Sequence, residues 1–329
     1  MTTRDRINEY FNGRPFLLLC ALALVATTAV ALSLGIGPAV SRDNGIFFSL
    51  NDALIEPGPL SATINVICLL ATGLIMLAIN KVFAFVRSVT NLFASAFFLL
   101  QIANPQGLTC LNIGTLMCLV SAITLLPLFA SYQDKHAQRS IFLISALVAT
   151  GSLFHYGFLA LVPAYLLGFM NLRTLNLKGF LAMLFGLVTP FWIVLGLGLA
   201  APGDFALPHI SGIWSMVSLH PLNLTLYLAC MTAVLGLVLA VANLFTIMKY
   251  RMQTRVYNVF FIIMLTVAVI AIATGFQSVQ TFLPLLSLMV AVQVAQTHTL
   301  NTAMHYRFVL MLIFIACCFG FAAAHILMP

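Results

Sequence analysis

The sequence predicts an all-α fold: a polytopic transmembrane helix bundle of about eleven spans, with a cytoplasmic N-terminus and a periplasmic C-terminus. Three observations carry that expectation. Of the 329 residues, 62% are hydrophobic and only 6% are charged, whereas a soluble domain uses roughly a quarter of its residues as charges to solvate its surface. Mean hydropathy is +1.11. Apolar runs of spanning length recur along the whole chain, and Lys and Arg fall between them on alternate sides.

A spanning helix needs about 20 largely apolar residues. Such runs lie near 15–37, 60–79, 88–104, 108–131, 140–155, 157–172, 179–200, 223–248, 256–275, 278–297 and 307–327. The first follows Arg4, Arg6 and Arg14 and contains the small-x-small sequence Ala29-Val30-Ala31, as a signal peptide would. At 23 residues it exceeds the typical 7–15-residue signal core, and it reads as an uncleaved first helix. Segments 140–155 and 157–172 are short, with His155-Tyr156-Gly157 as a tight turn between them. Two short spans and a re-entrant hairpin both fit, because irregular backbone at membrane depth is tolerated where protein buries it or a cavity adjoins it. No soluble segment is long enough for a second domain, so residues 1–329 form a single transmembrane unit.

Orientation follows from the positive charges, which favour cytoplasmic loops. One side takes Arg4, Arg6 and Arg14, then Lys81 and Arg87, Lys135 and Arg139, Arg173 and Lys178, Lys249, Arg251 and Arg255, and finally Arg307. That is 13 of the 14; the other side holds Arg42 alone. The N-terminus is therefore expected inside.

The same pattern excludes several functions. A net charge of +7 invites a nucleic-acid reading, but the cations are dispersed in twos and threes and form no basic face. The seven cysteines sit inside apolar runs without a CxxC spacing and read as buried thiols. No P-loop, HExxH or GxSxG element occurs. No metal is expected; the one cofactor with a place in the sequence is a divalent cation at the first outer loop.

Candidate chemistry is sparse. No Asp, Glu, Lys or Arg lies near the middle of a run, which argues against an ion-coupled transporter, since such a group usually marks the pathway. Neutral polar groups do interrupt the runs: Asn65, Asn91, Gln101, Asn112, Asn243, Gln277, Gln280, Gln293 and Gln296. Interhelical hydrogen bonding accounts for them without a ligand. Gln293 and Gln296 are three apart, share a helical face, and are expected to face protein or an aqueous cavity. His155 is a candidate for ligand binding or proton transfer; His298 and His305 flank the last inner loop and read as interfacial. The first outer loop carries Arg42, Asp43, Asp52 and Glu56. Residues 47–56 read as a short interfacial helix on which Asp52 and Glu56, four apart, share a face. Asp43, Asp52 and Glu56 are the catalytic candidates; Arg42, His155, His209, Gln293 and Gln296 are the binding candidates. The second outer loop adds Asp204, His209, Trp214 and His220, with Trp214 as an interfacial anchor.

Residues 60–195 carry Ile79-Asn80 with Arg87, Leu128-Phe129-Ala130-Ser131-Tyr132, Ser152-Leu153-Phe154-His155-Tyr156, Arg173 and Gly186-Leu187-Val188-Thr189-Pro190. In these the chain resembles an uncharacterised family of polytopic inner-membrane proteins from Bacteroidota, a domain of unknown function. The resemblance implies a bacterial inner membrane location and a bundle architecture, and no mechanism. A looser analogy links the acids of the first outer loop to membrane glycosyltransferases and polymerases of polyprenyl-linked glycans. Those enzymes usually present several outer cations to a lipid diphosphate, and here only Arg42 is available. Three roles stay open: a non-catalytic assembly or scaffold component of the cell envelope, a periplasm-facing enzyme on polyprenyl-linked glycans, and a transporter or flippase. The expected partners are the lipid bilayer, polyprenyl-linked lipid and other envelope membrane proteins.

Overall fold

The computed structural model describes residues 11–37, 45–48, 58–86, 91–201, 203, 205, 207–208, 223–247, 251–300 and 304–327. Among these the chain forms eleven α-helices. They are α1 (Arg14–Ser33), α2 (Pro59–Phe83), α3 (Leu92–Ile102), α4 (Ile113–Ala130), α5 (Gln138–Phe154), α6 (Leu161–Asn171), α7 (Leu177–Gly196), α8 (Leu224–Ile247), α9 (Met252–Thr274), α10 (Val279–Leu300) and α11 (Met304–Leu327). Two 3-10 turns, Pro105–Gly107 and Tyr156–Ala160, precede α4 and α6, and the described residues contain no strand.

Every apolar run of the sequence has its helix, but the helices are unequal. Eight of them (α1, α2, α4 and α7 to α11) are long and apolar enough to cross a membrane, the signature of a multi-pass helical protein. The other three, α3, α5 and α6, hold 11, 17 and 11 residues. At 1.5 Å per residue α3 is about 16 Å long, roughly half of a 30 Å hydrocarbon layer. Its end is set locally. Pro105 lacks an N–H and crowds the residue before it out of the α region, and Asn104 accordingly sits at φ −121°, ψ 74°.

The layers are a central helix, an inner ring and a lipid-facing ring. Helix α10 is the axis: 89% of its apolar window is buried, and α3, α4, α8 and α9 pack around it. All eleven residues of α3 are buried as well. By contrast α1, α7 and α11 bury only 28%, 28% and 22% of theirs and leave Leu22, Phe185, Trp192 and Phe319 exposed. A knot of rings fills the core where α2, α4 and α9 meet. Phe129 stacks on Tyr257 at 4.1 Å, and Phe85 approaches Phe261 at 5.1 Å.

Since lipid tails are as apolar as leucine, association of the spans rests on close packing, which small residues permit. The most extensive pair is α5 with α7. At its contact, a Cβ on Gly186 would lie 2.6 Å from the Phe142 carbonyl oxygen. Gly114, in the first turn of α4, lies still closer to the Thr281 carbonyl of α10. Main-chain atoms cannot yield as a side-chain tip does.

Replacing Gly186 by Ala is expected to destabilise the folded protein by about 1–3 kcal/mol through overpacking. Gly320, inside α11, has no neighbour within 4 Å of a built Cβ, and Gly320→Ala should stabilise by about 0.5–1 kcal/mol. Thermal unfolding of the two variants in the same detergent checks both signs.

Candidate functional site

The polar groups of the bundle gather in two clusters, and the larger one exists because α3 stops short. Residues 103–112 connect α3 to α4, and most of them are buried. Their backbone amides and carbonyls have no helix to satisfy them, and buried backbone groups must find partners. Helix α2 supplies two from one face, Ser61 and Asn65. Asn65 Nδ2 donates to the Gly107 carbonyl at 2.9 Å. Its Oδ1 accepts from the Asn112 amide at 3.4 Å, and Ser61 Oγ accepts from the Leu111 amide at 2.7 Å.

Gln280, in the first turn of α10, closes the cluster from the other side. Its Oε1 accepts from Asn104 Nδ2 at 2.8 Å and its Nε2 donates to Thr225 Oγ1 of α8 at 3.3 Å. Thr225 Oγ1 in turn donates to Gln106 Oε1 at 3.2 Å. The main-chain oxygen of Gln280 accepts from Asn112 Nδ2 at 3.0 Å, while Asn112 Oδ1 caps α4 by accepting from the Gly114 amide at 2.9 Å. One side chain thus ties the α3–α4 connection to α8 and α10. The helices α2, α4, α8 and α10 all begin here, none with an acid in its first turn. Asn104 Oδ1, Gln101 Nε2 and both amide atoms of Gln277 are buried without a hydrogen-bond partner among the described residues. Gln277 also holds a left-handed φ of 65° in the turn between α9 and α10.

His155 lies at the same end. It is fully buried, and its Nδ1 accepts from the Gly157 amide at 2.9 Å, which leaves Nε2 to carry the proton in the neutral ring. A Cβ on Gly157 would meet Thr281 Cγ2 of α10 at 2.9 Å, so the turn is pressed against the helix that carries Gln280. Residues 45–48, between α1 and α2, dock beside it: the Ile46 and Phe48 amides donate to the Ser152 and Leu153 carbonyls at 3.3 and 3.1 Å. Phe48 packs on Phe154 at 5.5 Å.

The second cluster lies farther along α10. Asn243 Nδ2 of α8 donates to the main-chain and side-chain oxygens of Gln293, both at 3.0 Å. Gln293 Nε2 donates to Asn258 Oδ1 of α9 at 3.0 Å, and Thr297 Oγ1 donates to Asn243 Oδ1 at 3.0 Å. Gln296 turns elsewhere and donates to the Phe85 carbonyl at 3.4 Å. Gln293 and Gln296 are 0% and 2% exposed, so both face protein. Twelve residues separate Thr281 from Gln293, about 18 Å along the helix. His155 and the Gln293–Gln296 pair therefore belong to different places.

Arg42, Asp43, Asp52, Glu56, Asp204, His209, Trp214 and His220 lie outside the described residues. So does the side chain of His305, whereas His298 is buried in the last turn of α10. Among the described residues no three His, Cys, Asp or Glu side chains approach closely enough to hold a metal ion. Sequence reasoning singled out Asn65, Asn112 and Gln280 but passed over Asn104, Gln106, Thr225, Asn258 and Thr297. The signal for the first two was the Asn104-Pro105-Gln106-Gly107 break between two apolar runs.

With its carboxamides and hydroxyls the arrangement can donate and accept hydrogen bonds and hold the helices in register. Residues 47–328 match the model of a family described as a family of unknown function (DUF6427). No curated protein and no solved structure matches the chain.

Gln280→Leu strands the Asn104 amide donor, leaves Thr225 with its bond to Gln106 alone, and is expected to lower unfolding free energy by about 1–3 kcal/mol. A double-mutant cycle with Thr225→Val should show coupling near the 0.6 kcal/mol typical of an interhelical hydrogen bond in a membrane. Detergent-titrated unfolding measures both.

Proposed function

Since the chain belongs to the DUF6427 family of unknown function, its role rests on its own chemistry, and we propose a multi-pass protein of the bacterial inner membrane that serves envelope assembly as a non-catalytic component. The N-terminus is cytoplasmic and the C-terminus periplasmic, which puts the Gln280 cluster at the periplasmic end. One observation carries the reading: of the amides that a transport pathway would display, Gln293 is tied to α8 and α9, and Gln296 is buried and donates to the Phe85 carbonyl. A bundle that uses its polar groups to hold itself together, and turns broad apolar faces of α1, α7 and α11 outward, is built as a rigid membrane body.

The alternative, a periplasm-facing enzyme on polyprenyl-linked glycans, draws on a different observation. Residues 45–48 of the first outer loop dock beside His155, at the end where Asn104 and Gln277 keep spare hydrogen-bonding atoms. Sugar hydroxyls are the partners such amides suit.

Deleting the gene should weaken the envelope, read as sensitivity to detergent and large antibiotics. A triple variant Asp43→Ala, Asp52→Ala, Glu56→Ala should restore resistance and surface glycans fully. A deletion without envelope phenotype removes the proposal; a triple variant that is abundant yet inactive transfers it to the enzyme.

Orientation has its own test. In intact cells a membrane-impermeant maleimide should label Leu207→Cys and spare His136→Cys, with the reverse pattern refuting a cytoplasmic N-terminus.

A further inference from the structure

Helix α11 packs on α3 and on α8, and between α8, α10 and α11 an apolar crevice of about 90 Å³ remains. Leu235 and Leu239 of α8, Val294 of α10, and Met311 and Phe314 of α11 form its walls. It opens outward past Leu310, which is 54% exposed. Its lining turns polar only at Thr297 and His298, in the last turn of α10.

Described cations belong to the same end of the bundle as Thr297 and His298. Thr297 is bonded to Asn243, and Asn243 through Gln293 to Asn258 of α9. Arg255 lies one turn before Asn258, with Arg251 just ahead of α9. Arg251 is exposed, and Arg255 is half-buried with its Nε lacking a hydrogen-bond partner among the described residues. Lys249 and Arg307 lie close by in sequence. An apolar crevice stays dry, and its walls forfeit dispersion contacts until something fills it. Around a bundle of this hydropathy, the abundant filler is a hydrocarbon chain.

We infer that the crevice between α8, α10 and α11 is a binding site for an anionic phospholipid, one acyl chain lying against Leu239 and Phe314 and the phosphate held near Thr297, His298 and Arg255. The leaflet assignment, cytoplasmic, rests on the orientation proposed above; occupation of the crevice does not.

The test uses the full chain in vesicles containing a phosphatidylglycerol with a diazirine on one acyl chain. Photo-adducts should concentrate on peptides carrying residues 235–239, 294–298 and 310–314, roughly fivefold to tenfold above α7's exposed face around Val188 and Trp192. Unlabelled phosphatidylglycerol should compete about tenfold better than phosphatidylcholine, the preference two nearby arginines give. Leu239→Trp and Leu310→Trp fill the crevice and should remove the enrichment; Val238→Trp, on the neighbouring exposed face, should not. Adducts spread evenly over α7 and α11, enrichment that survives both filling variants, or crosslinks to a second copy of the chain overturn the site. Equal competition by the two lipids overturns its anionic character. If a filling variant fails to fold, the mapping and competition on the wild-type chain decide alone.

Discussion

A hydrocarbon layer offers no water, so every backbone amide and carbonyl at membrane depth must find its partner within the protein. The fold turns on that constraint at one place. Asn104-Pro105 ends α3 at Ile102, and the ten residues from 103 to 112 carry backbone groups with only one short 3-10 turn among them. Ser61 and Asn65 on α2 answer the Gly107, Leu111 and Asn112 backbone groups, and Gln280 on α10 takes up the Asn104 and Asn112 side-chain amides. Those side chains fix where α2 and α10 stand relative to α4, and α10 in turn sets the places of α8 and α9. The axial helix is thus held by amide chemistry at both ends: Gln280 near its start, Gln293 and Gln296 near its finish.

Among the described residues, the number and order of helices were legible in the sequence, because apolar runs and intervening charges are strong signals. Eleven runs correspond to eleven helices, and the tight turn read at His155 is a 3-10 corner. Their lengths were less legible. The run 88–104 counts as spanning by hydropathy, yet the described helix covers Leu92–Ile102, its end set by Asn104-Pro105. Layering was not legible at all. Hydropathy rates α1 and α11 above α10, although α10 is the buried axis and the other two face outward. In a membrane, lipid-facing and core-facing surfaces are equally apolar, so periodicity cannot separate them. What marks α10 is its polar content, with Gln280, Ser287, Gln293, Gln296 and Thr297 in a single span.

The site was legible in the same partial way. Individual Asn and Gln residues stand out against an apolar background, but their pairing over separations such as Asn104 to Gln280 depends on the packing of remote helices. Gln293 and Gln296 share a helical face in the sequence, yet one reaches α8 and α9 while the other reaches Phe85. A three-residue offset turns a side chain by about 60°, enough for neighbours to differ on a helix surrounded on all sides. The resemblance to an uncharacterised inner-membrane family agrees with the family found here in being of unknown function, and its implied architecture is the helical one described.

The burial of α3 has a consequence for how the chain is made. Its eleven residues are too few to sit stably across a bilayer alone, and α10, the helix that covers one of its sides, is encoded far downstream, from Val279 onward. At synthesis rates near 5–20 residues per second, α10 emerges roughly ten to thirty-five seconds after α3. Throughout that interval the α3–α4 connection lacks the Gln280 partner that later secures it. Biogenesis therefore passes through a stage in which the Asn104 and Asn112 side-chain amides of an immature membrane intermediate await their partner, and the late arrival of the axial helix is the step that completes it.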